Sequence, residues 1–372
     1  MKGEPTDRRG LIRRLSRMGL DPKDPFRSAV IGEVYLMAGM DCNLRCRACT
    51  MWGRGGACLH RDFLARISKP APLSRLLTFI DEAAAFKPEY LNISGGEPLM
   101  TRRWAPLAER GRSHGIKTIL TTNGVYLERH AERVAALFDQ VSISIACTPA
   151  MREKLGMGPP GHGSALIRGL KALADAPGGR PVLRLLCEVF DSNGAHLLEL
   201  MDHFDEEGIR FDEILFMHLI SNKPEVLKDQ KAVLSSEFGL GFDLWKGYGY
   251  PVRKMDYAGL DRTLKALRKR FPQSRFNIDL QGVKALRDYY AGRKQGLGRA
   301  FCEGPWRQVN LFPNGDVWTC PDVILGNLKD QAFAKIWDGP EARALRRRVY
   351  QKLLPACRGC FSFYEKEQPV CL

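Results

Sequence analysis

Six short apolar segments, separated by stretches with helical spacing, limit the fold of this 372-residue chain more than any other feature. The predicted strands span residues 33–38, 90–94, 117–121, 141–145, 182–189 and 213–219. Apolar residues between them recur at the spacing of amphipathic helices. Strands that alternate with helices predict an α/β fold built from parallel βα units with right-handed crossovers. In such folds functional side chains gather at the carboxyl ends of the strands.

A cysteine-rich segment follows the first predicted strand. Cys42, Cys46 and Cys49 have the spacing Cys-x3-Cys-x2-Cys. Three thiolates in one loop can hold three irons of a cubane iron–sulfur cluster and leave the fourth iron open for chemistry. A zinc site or plain core cysteines are the alternatives, but zinc sites favour Cys-x2-Cys pairs and four ligands. The spacing therefore favours a cluster.

A glycine motif, Ser94-Gly95-Gly96-Glu97-Pro98, ends the second predicted strand. Together with the cysteine spacing, this motif resembles the radical S-adenosylmethionine (SAM) superfamily. In that family the open iron chelates the amino and carboxylate groups of SAM, and one electron cleaves SAM into methionine and a 5'-deoxyadenosyl radical. The resemblance covers about residues 34–219. It implies a partial (βα)6 TIM-like barrel.

The resemblance also implies a role for individual residues. It assigns the three cysteines to the SAM-binding [4Fe-4S] cluster. It places Gly95 and Gly96 against the amino group of SAM, where the lack of side chains allows close approach, with Glu97 as the carboxylate partner of that ammonium. The other residues expected at SAM are Ser144 at the ribose, Asn123 as a supporting group or a helix cap, and Met217 at the adenine or in the core.

Four further cysteines lie near the carboxyl terminus: Cys302, Cys320, Cys357 and Cys360. An Asn-Gly turn at 314–315 predicts a hairpin of strands 308–312 and 317–320. This hairpin brings Cys302 and Cys320 toward one end, where the distant pair can complete four thiolates. Four thiolates close a structural site for either zinc or a four-iron cluster.

The same segment resembles the SPASM/Twitch extension of radical SAM enzymes, through Cys302, Gly315-x4-Cys320 and Cys357-x2-Cys360. The resemblance implies a small C-terminal α+β iron–sulfur domain with an auxiliary [4Fe-4S] cluster. The full SPASM pattern continues with more cysteines, whereas only Cys371 remains here. We therefore expect the shorter Twitch-like form with one auxiliary cluster, and whether Cys371 is a ligand stays open.

These patterns divide the chain into four parts. They are a basic N-terminal arm (1–28), the radical SAM partial barrel core (29–220), an extension or linker region (221–298) and the auxiliary cluster domain (299–372). Within the extension, the aromatic and glycine-rich stretch 238–257 fits either a loop over the substrate or packing between domains. We favour packing.

Net charge, apolar runs and cysteine content limit the classes of partner that we expect. The net charge of +15, from 57 Lys and Arg against 42 Asp and Glu, suits an acidic substrate, a nucleic acid or an electron-donor protein. No aromatic platform accompanies the basic runs, which argues against nucleic acid. We see neither an apolar run of membrane-spanning length nor a signal peptide, so we expect a cytoplasmic protein without a membrane partner. Eleven cysteines in a reducing compartment favour metal ligation over disulfides.

The sequence thus predicts an enzyme that takes one electron from a donor such as flavodoxin or ferredoxin, cleaves SAM and removes hydrogen from a substrate carbon. Peptide or protein modification is the first expectation for the substrate. Oxidation or epimerisation of a sugar-like or other small metabolite is the second. A zinc-stabilised RNA-binding protein is an alternative from another functional class. The Gly95-Gly96-Glu97 motif would have no role in such a protein.

Overall fold

A computed structural model gives the fold of this chain. The structure describes residues 23–53, 55–220, 222–241, 243–249, 252, 254–292 and 302–360. Most of the expected N-terminal arm lies outside these ranges, and so does Cys371.

Ten strands form one sheet in the described part of the chain. They are β1 (Glu33–Gly39), β2 (Tyr90–Gly95), β3 (Lys117–Thr122), β4 (Gln140–Ser144), β5 (Val182–Val189), β6 (Glu213–His218), β7 (Ser274–Phe276), β8 (Gln308–Leu311), β9 (Asp316–Trp318) and β10 (Ile324–Asn327). Their order across the sheet is β10-β9-β8-β1-β2-β3-β4-β5-β6-β7. Strands β1 to β6 are parallel neighbours in chain order, which confirms the six predicted βα units and the partial barrel.

Helices connect and cover these strands. They are α1 (Arg61–Ile67), α2 (Leu73–Ala84), α3 (Trp104–Ser113), α4 (Ala131–Leu137), α5 (Pro149–Lys154), α6 (His162–Ala174), α7 (Leu197–Glu206), α8 (Pro224–Phe238), α9 (Leu244–Gly247), α10 (Tyr257–Arg270), α11 (Gly282–Tyr290), α12 (Gly304–Arg307), α13 (Phe333–Trp337) and α14 (Pro340–Gln351). In α2 the buried residues Leu76, Phe79, Ile80 and Ala83 recur at helical spacing and pack in the core around the sheet. No helix in the described ranges has the length and apolar character needed to cross a bilayer.

The C-terminal strands continue the barrel sheet. Strand β8 pairs in parallel with β1, with Val309 opposite Val34, and β9 returns antiparallel to β8. The predicted hairpin is therefore present, and it lies against the first barrel strand. Because β9 runs antiparallel to β8 and β1, Cys320 lies toward the end of β1 that begins at Glu33, whereas the first cysteine loop follows the other end of that strand. The four-part domain division stays a prediction.

Strand β7 is short and ends at Phe276, beside β6. Asn277 explains where it ends. Its side chain accepts the backbone N–H of His218 at 2.8 Å and donates to the His218 carbonyl at 3.1 Å. These side-chain bonds replace the backbone ladder beside β6, so regular pairing stops there.

Candidate active site

A single cavity of about 370 Å³ lies at the carboxyl ends of the barrel strands and reaches into the barrel. Its volume is within the range of ligand pockets. Both groups of cysteines line it, namely Cys42, Cys46, Cys49, Cys302, Cys320, Cys357 and Cys360. The structure therefore brings two groups that are about 250 residues apart in sequence to one chamber.

The first cysteine loop is held by local hydrogen bonds. The backbone N–H of Leu44 donates to Cys42 Sγ at 3.4 Å, and that of Trp52 donates to Cys49 Sγ at 3.3 Å. Arg45 donates to the Cys42 carbonyl at 2.7 Å, and its guanidinium stacks over Trp52 at 4.5 Å. The loop is thus ordered by its own residues, with the three thiols on the cavity wall.

Burial raises the pKa of the Cys42 and Cys46 thiols, and raises that of Cys49 to about 11. The ligand-free thiols are therefore protonated at neutral pH. Iron–sulfur ligation requires thiolates, so cluster binding must release these protons. The all-thiolate donor set itself suits an iron–sulfur cluster.

The two glycines of the motif after β2 pack against the cysteine loop. A Cβ on Gly95, whose φ is +134°, would lie 2.2 Å from the Gly39 carbonyl oxygen. A Cβ on Gly96 would lie 2.2 Å from the Asp41 carbonyl oxygen. The Gly96 N–H donates to Gly39 at 2.9 Å. The absent side chains are therefore required by the neighbouring backbone, and both glycines also line the cavity.

Glu97 lies inside the protein, behind the cavity wall. Its side chain is fully buried and does not line the cavity. The carboxylate accepts the Leu99 N–H at 3.0 Å, the Thr122 hydroxyl at 2.7 Å and the Asn123 N–H at 2.8 Å. Burial raises its pKa to about 7. In this structure the carboxylate is thus engaged inside the protein rather than presented to a ligand ammonium, and it ties the end of β2 to the end of β3.

The other residues expected at SAM do line the cavity. Asn123 follows β3, Ser144 ends β4 and Met217 lies near the end of β6. Asn123 serves two local purposes, since its Oδ1 accepts the Val125 N–H at 3.0 Å and its Nδ2 donates to Asn43 Oδ1 at 2.9 Å. Their contacts with SAM stay predictions.

The C-terminal cysteines line another part of the same cavity. Burial raises the pKa values of Cys302 and Cys320 well above the usual range and that of Cys357 to about 12. The neighbouring thiols of the group, Cys360 included, raise all three further. The four thiols are therefore close to one another. Among the described residues, no group of three or more His, Cys, Asp or Glu is spaced to hold a single metal ion.

The remaining described cysteines are core residues. Cys58, Cys147 and Cys187 are all buried and none of them lines the cavity. Cys58 belongs to the buried cluster with Met37, Met51 and Phe63. Although Cys58 is near the first cysteine loop in sequence, it does not face the cavity.

Sequence reasoning missed Arg152. It lies in α5, is 1% exposed and lines the cavity. The guanidinium is hydrogen-bonded to Cys46, but no acceptor among the described residues reaches its Nε or Nη1. It is the only Arg or Lys among the described residues of the cavity wall. Glu188, at the end of β5, also lines the cavity, and burial raises its pKa to about 7.

Comparisons with known proteins agree with this geometry. Residues 39–186 match the radical SAM superfamily. Residues 302–361 match SPASM, an iron-sulfur cluster-binding domain. The two matches contain the two cysteine groups that line the cavity.

Two relatives are similar along most of the chain. Pre-heme d1 synthase from Dinoroseobacter shibae is 25% identical over 86% of this chain and 76% of its own. AdoMet-dependent heme synthase from Methanosarcina barkeri is 24% identical over 89% of this chain and 93% of its own. SuiB from Streptococcus suis, solved with bound S-adenosylmethionine, has a TM-score of 0.58 at 16% identity, covering 96% of this chain and 80% of SuiB. At that identity the likeness shows a shared fold.

The family matches set aside the zinc-stabilised RNA-binding alternative. The protein is an enzyme, and its cofactors are SAM and [4Fe-4S] clusters. The chain belongs to the radical SAM superfamily and carries a SPASM iron–sulfur domain toward its carboxyl end.

Proposed function

We propose that this enzyme oxidises a carboxylate-bearing small molecule, by removing a hydrogen atom from one of its carbons while the substrate lies between two iron–sulfur clusters. The observation that carries this proposal is the single cavity lined by both cysteine groups and by the buried cation Arg152. A substrate in that cavity would be near both the cluster that cleaves SAM and the auxiliary cluster, which accepts an electron.

The roles of the cysteines follow the two family matches. Cys42, Cys46 and Cys49 hold the cluster that binds SAM, and the C-terminal four hold the auxiliary cluster. When bound, the first cluster supplies the electron that cleaves SAM, and the auxiliary cluster supplies an acceptor for the electron left on the substrate. The edge of Gly95 and Gly96 fixes the first loop, while the cavity residues Ser144, Asn123 and Met217 contact SAM.

Arg152 supports the choice of a carboxylate. Burying a guanidinium is costly unless its donors are satisfied, yet Nε and Nη1 meet no acceptor among the described residues. A carboxylate can accept a charge-assisted hydrogen bond from either of these donors. Both SAM and a substrate carry carboxylates, so the test must separate these two sources.

The relatives favour a haem-type substrate. Two relatives that match more than four fifths of this chain are named as pre-heme d1 synthase and AdoMet-dependent heme synthase. Haem and its precursors are flat apolar macrocycles with carboxylate side groups. The cavity offers aromatic walls, including Tyr35, Tyr248 and Trp245, beside the buried cation Arg152. We therefore propose a haem-precursor-like tetrapyrrole as the substrate.

A peptide or protein is the second candidate, because its acidic side chains and its C-terminus carry the same carboxylate. SuiB bound to its precursor peptide SuiA has a TM-score of 0.59 at 14% identity, covering 98% of this chain and 77% of SuiB. That likeness concerns the fold, whereas the haem-related names come from similarity along the sequence. The order of the two candidates is therefore the reverse of the order expected from the sequence alone.

The electron would come from a small acidic donor such as flavodoxin or ferredoxin. Arg45 and Arg47 are exposed and flank Cys46 in the first cysteine loop. Exposed cations next to a cluster attract an acidic partner and speed its association at low salt. Replacing Arg47 with Gln should slow reduction by the donor protein but not by dithionite.

The substrate experiment uses reconstituted protein with SAM and dithionite. 5'-Deoxyadenosine formation and substrate mass are followed with haem precursors, acidic peptides and sugar acids. We expect a haem precursor to stimulate 5'-deoxyadenosine formation and to be modified. Arg152→Gln should lower this stimulation by roughly 10- to 100-fold, the range of a charged hydrogen bond, and Arg152→Lys should retain part of it.

Other outcomes would contradict the proposal. Stimulation by acidic peptides alone would promote the peptide substrate. An Arg152→Gln enzyme that binds SAM more weakly, but responds normally to substrate once saturated with SAM, would assign Arg152 to the carboxylate of SAM. Modification of sugar acids alone would favour the third substrate class.

A further inference from the structure

A short segment lies between the two cysteine groups and touches the surroundings of both. We call residues 243–249, which include α9, the inter-cluster strap. Its residues Leu244, Trp245 and Tyr248 line the cavity. Trp245 is 2% exposed and its ring packs on Tyr248 with the ring centroids 5.2 Å apart. The strap is therefore a packed wall of the cavity rather than a loose cover.

Asp322 holds the inter-cluster strap to the loop that follows Cys320. This residue follows Cys320 by two positions, and its carboxylate accepts three backbone N–H groups at the start of α9. The donors are Asp243 at 3.0 Å, Leu244 at 2.8 Å and Trp245 at 3.1 Å. The first N–H groups of a helix have no partner within the helix, so one carboxylate satisfies three of them. Asp322 also has a φ of +67°, a conformation that non-glycine residues adopt at a cost.

Gly247 fixes the strap on the side of the first cluster. A Cβ at this position would lie 2.2 Å from the carbonyl oxygen of Thr50, the residue that follows Cys49. That carbonyl also accepts the Ala57 N–H at 3.0 Å, which limits its freedom to move. The Tyr248 hydroxyl is hydrogen-bonded to the Thr50 side chain. The strap thus contacts the first cysteine loop without a gap.

A third connection runs to the last cysteine pair. The Tyr248 carbonyl accepts the Asn222 N–H at 3.1 Å. A Cβ on Gly359, the neighbour of Cys360, would lie 2.2 Å from Asn222 Oδ1. The strap is therefore linked, directly or through one residue, to the chain neighbours of Cys49, Cys320 and Cys360.

We propose that Asp322 is a positioning residue that couples the two cluster sites: through the strap it sets the position of Thr50 and Cys49, so that loss of the auxiliary cluster weakens SAM binding at the first cluster. The coupling follows from rigidity. Three hydrogen bonds hold α9 to the loop that contains Cys320 and Asp322. Close packing at Gly247 passes any shift of α9 to Thr50. The proposal rests on the ligand assignments of both cysteine groups, which iron content tests separately.

A matched pair of glycine substitutions tests the contact. Gly247→Ala adds a methyl group against Thr50, whereas Gly241→Ala adds one where the nearest atom is the Asp243 carboxylate at 3.7 Å. Gly241→Ala should keep the iron content of the wild type, and the Kd of SAM is measured per loaded protein for both variants. Gly247→Ala should raise the Kd of SAM by about fivefold or more, within the usual range of coupling between sites. It should also change the EPR spectrum of the reduced, SAM-bound cluster.

A double-mutant cycle tests the coupling itself. Cys357→Ala with Cys360→Ala removes the auxiliary cluster, and the Kd of SAM is measured with Asp322 intact or replaced by Ala. We expect a rise of about fivefold or more when Asp322 is present, and less than about twofold further change when it is absent. Asp322→Asn, which keeps one acceptor oxygen, should give an intermediate Kd.

Three results would overturn the proposal. The first is equal SAM affinity for Gly247→Ala and Gly241→Ala. The second is an unchanged SAM affinity after loss of the auxiliary cluster. The third is a cycle in which loss of the auxiliary cluster and loss of the Asp322 carboxylate change the Kd of SAM independently, so that their effects multiply. If Asp322→Ala does not fold, the glycine pair still decides. Loss of all iron in the double cysteine variant would instead refute the assignment of the two ligand groups.

Discussion

The backbone N–H of Asn123 donates a hydrogen bond to the carboxylate of Glu97 at 2.8 Å, and this bond joins the end of β3 to the glycine motif after β2. The Glu97 N–H in turn donates to the Asp41 carbonyl in the cysteine loop at 2.7 Å. A single residue therefore connects two strand ends to the loop that carries Cys42. In this geometry Glu97 braces the site, and its contact with SAM stays a prediction.

Glu97→Gln should test this role. The amide NH2 of Gln cannot accept the hydrogen bond from the Asn123 N–H. An unpaired buried donor costs about 1–3 kcal/mol. We expect lower thermal stability and lower iron loading, but a nearly unchanged Kd of SAM per loaded protein. Thr122→Val, which removes one donor to the same carboxylate, should have a smaller effect in the same direction. A large rise in the Kd of SAM with unchanged stability would restore the direct role.

Gly96→Ala should damage the first cluster site selectively. The new Cβ would lie 2.2 Å from the Asp41 carbonyl oxygen, so the cysteine loop would have to move. We expect the variant to lose about four irons and to form no 5'-deoxyadenosine. Gly241→Ala is the control and should behave as the wild type. Full iron content and normal SAM cleavage in Gly96→Ala would show that the loop tolerates the displacement.

Removing the first ligand group should separate the two clusters. Changing Cys42, Cys46 and Cys49 to Ala should abolish 5'-deoxyadenosine formation while about four irons remain in the auxiliary site. Iron and sulfide analysis, with EPR of the reduced protein, checks this outcome. A variant without iron, or one that still cleaves SAM, would show that the ligand groups are assigned wrongly.

Glu33 should make stability depend on pH. Burial raises its pKa from 4.5 to about 7, although a hydrogen bond from Asn92 opposes the rise. Between these values the folded protein keeps a proton that the unfolded chain releases, so the free energy of unfolding falls as pH rises through this window. The loss for this residue is up to about 3 kcal/mol.

Glu33→Gln keeps the shape and removes the titration. The free energy of unfolding, measured by urea at pH 5 and pH 8, should therefore fall less with pH in the variant. Glu97 and Glu188 titrate in the same direction, so part of the dependence should persist. An identical pH dependence in both proteins would show that Glu33 is not the source.

The parts of the site that sequence could predict depend on local patterns. The spacing of Cys42, Cys46 and Cys49 and the strand that precedes them are both short-range features, and the structure has the loop where the pattern predicts it. The six strands also lie close to their predicted bounds. Each βα unit has its own short apolar segment followed by a stretch of helical spacing, so both are visible in the local sequence. The same reasoning placed Asn123 and Ser144 at strand ends beside the cavity.

The parts that sequence could not predict depend on distant contacts. Arg152 lies in a six-residue helix with other charged residues, so its burial becomes visible only when the barrel forms around it. Asp322 meets α9 across almost 80 residues of chain. Strand β8 pairs with β1 across the whole barrel sequence, and no local pattern predicts that partner. The burial of Glu97 likewise follows from bonds to the next strand.

The most direct test of this account is the iron and sulfide content of the anaerobically reconstituted protein, followed by assay of 5'-deoxyadenosine with SAM and dithionite. We expect about eight irons per chain, as two clusters of four, together with 5'-deoxyadenosine. About four irons with turnover would remove the auxiliary cluster and its role as electron acceptor. Bound zinc without 5'-deoxyadenosine would contradict the account as a whole.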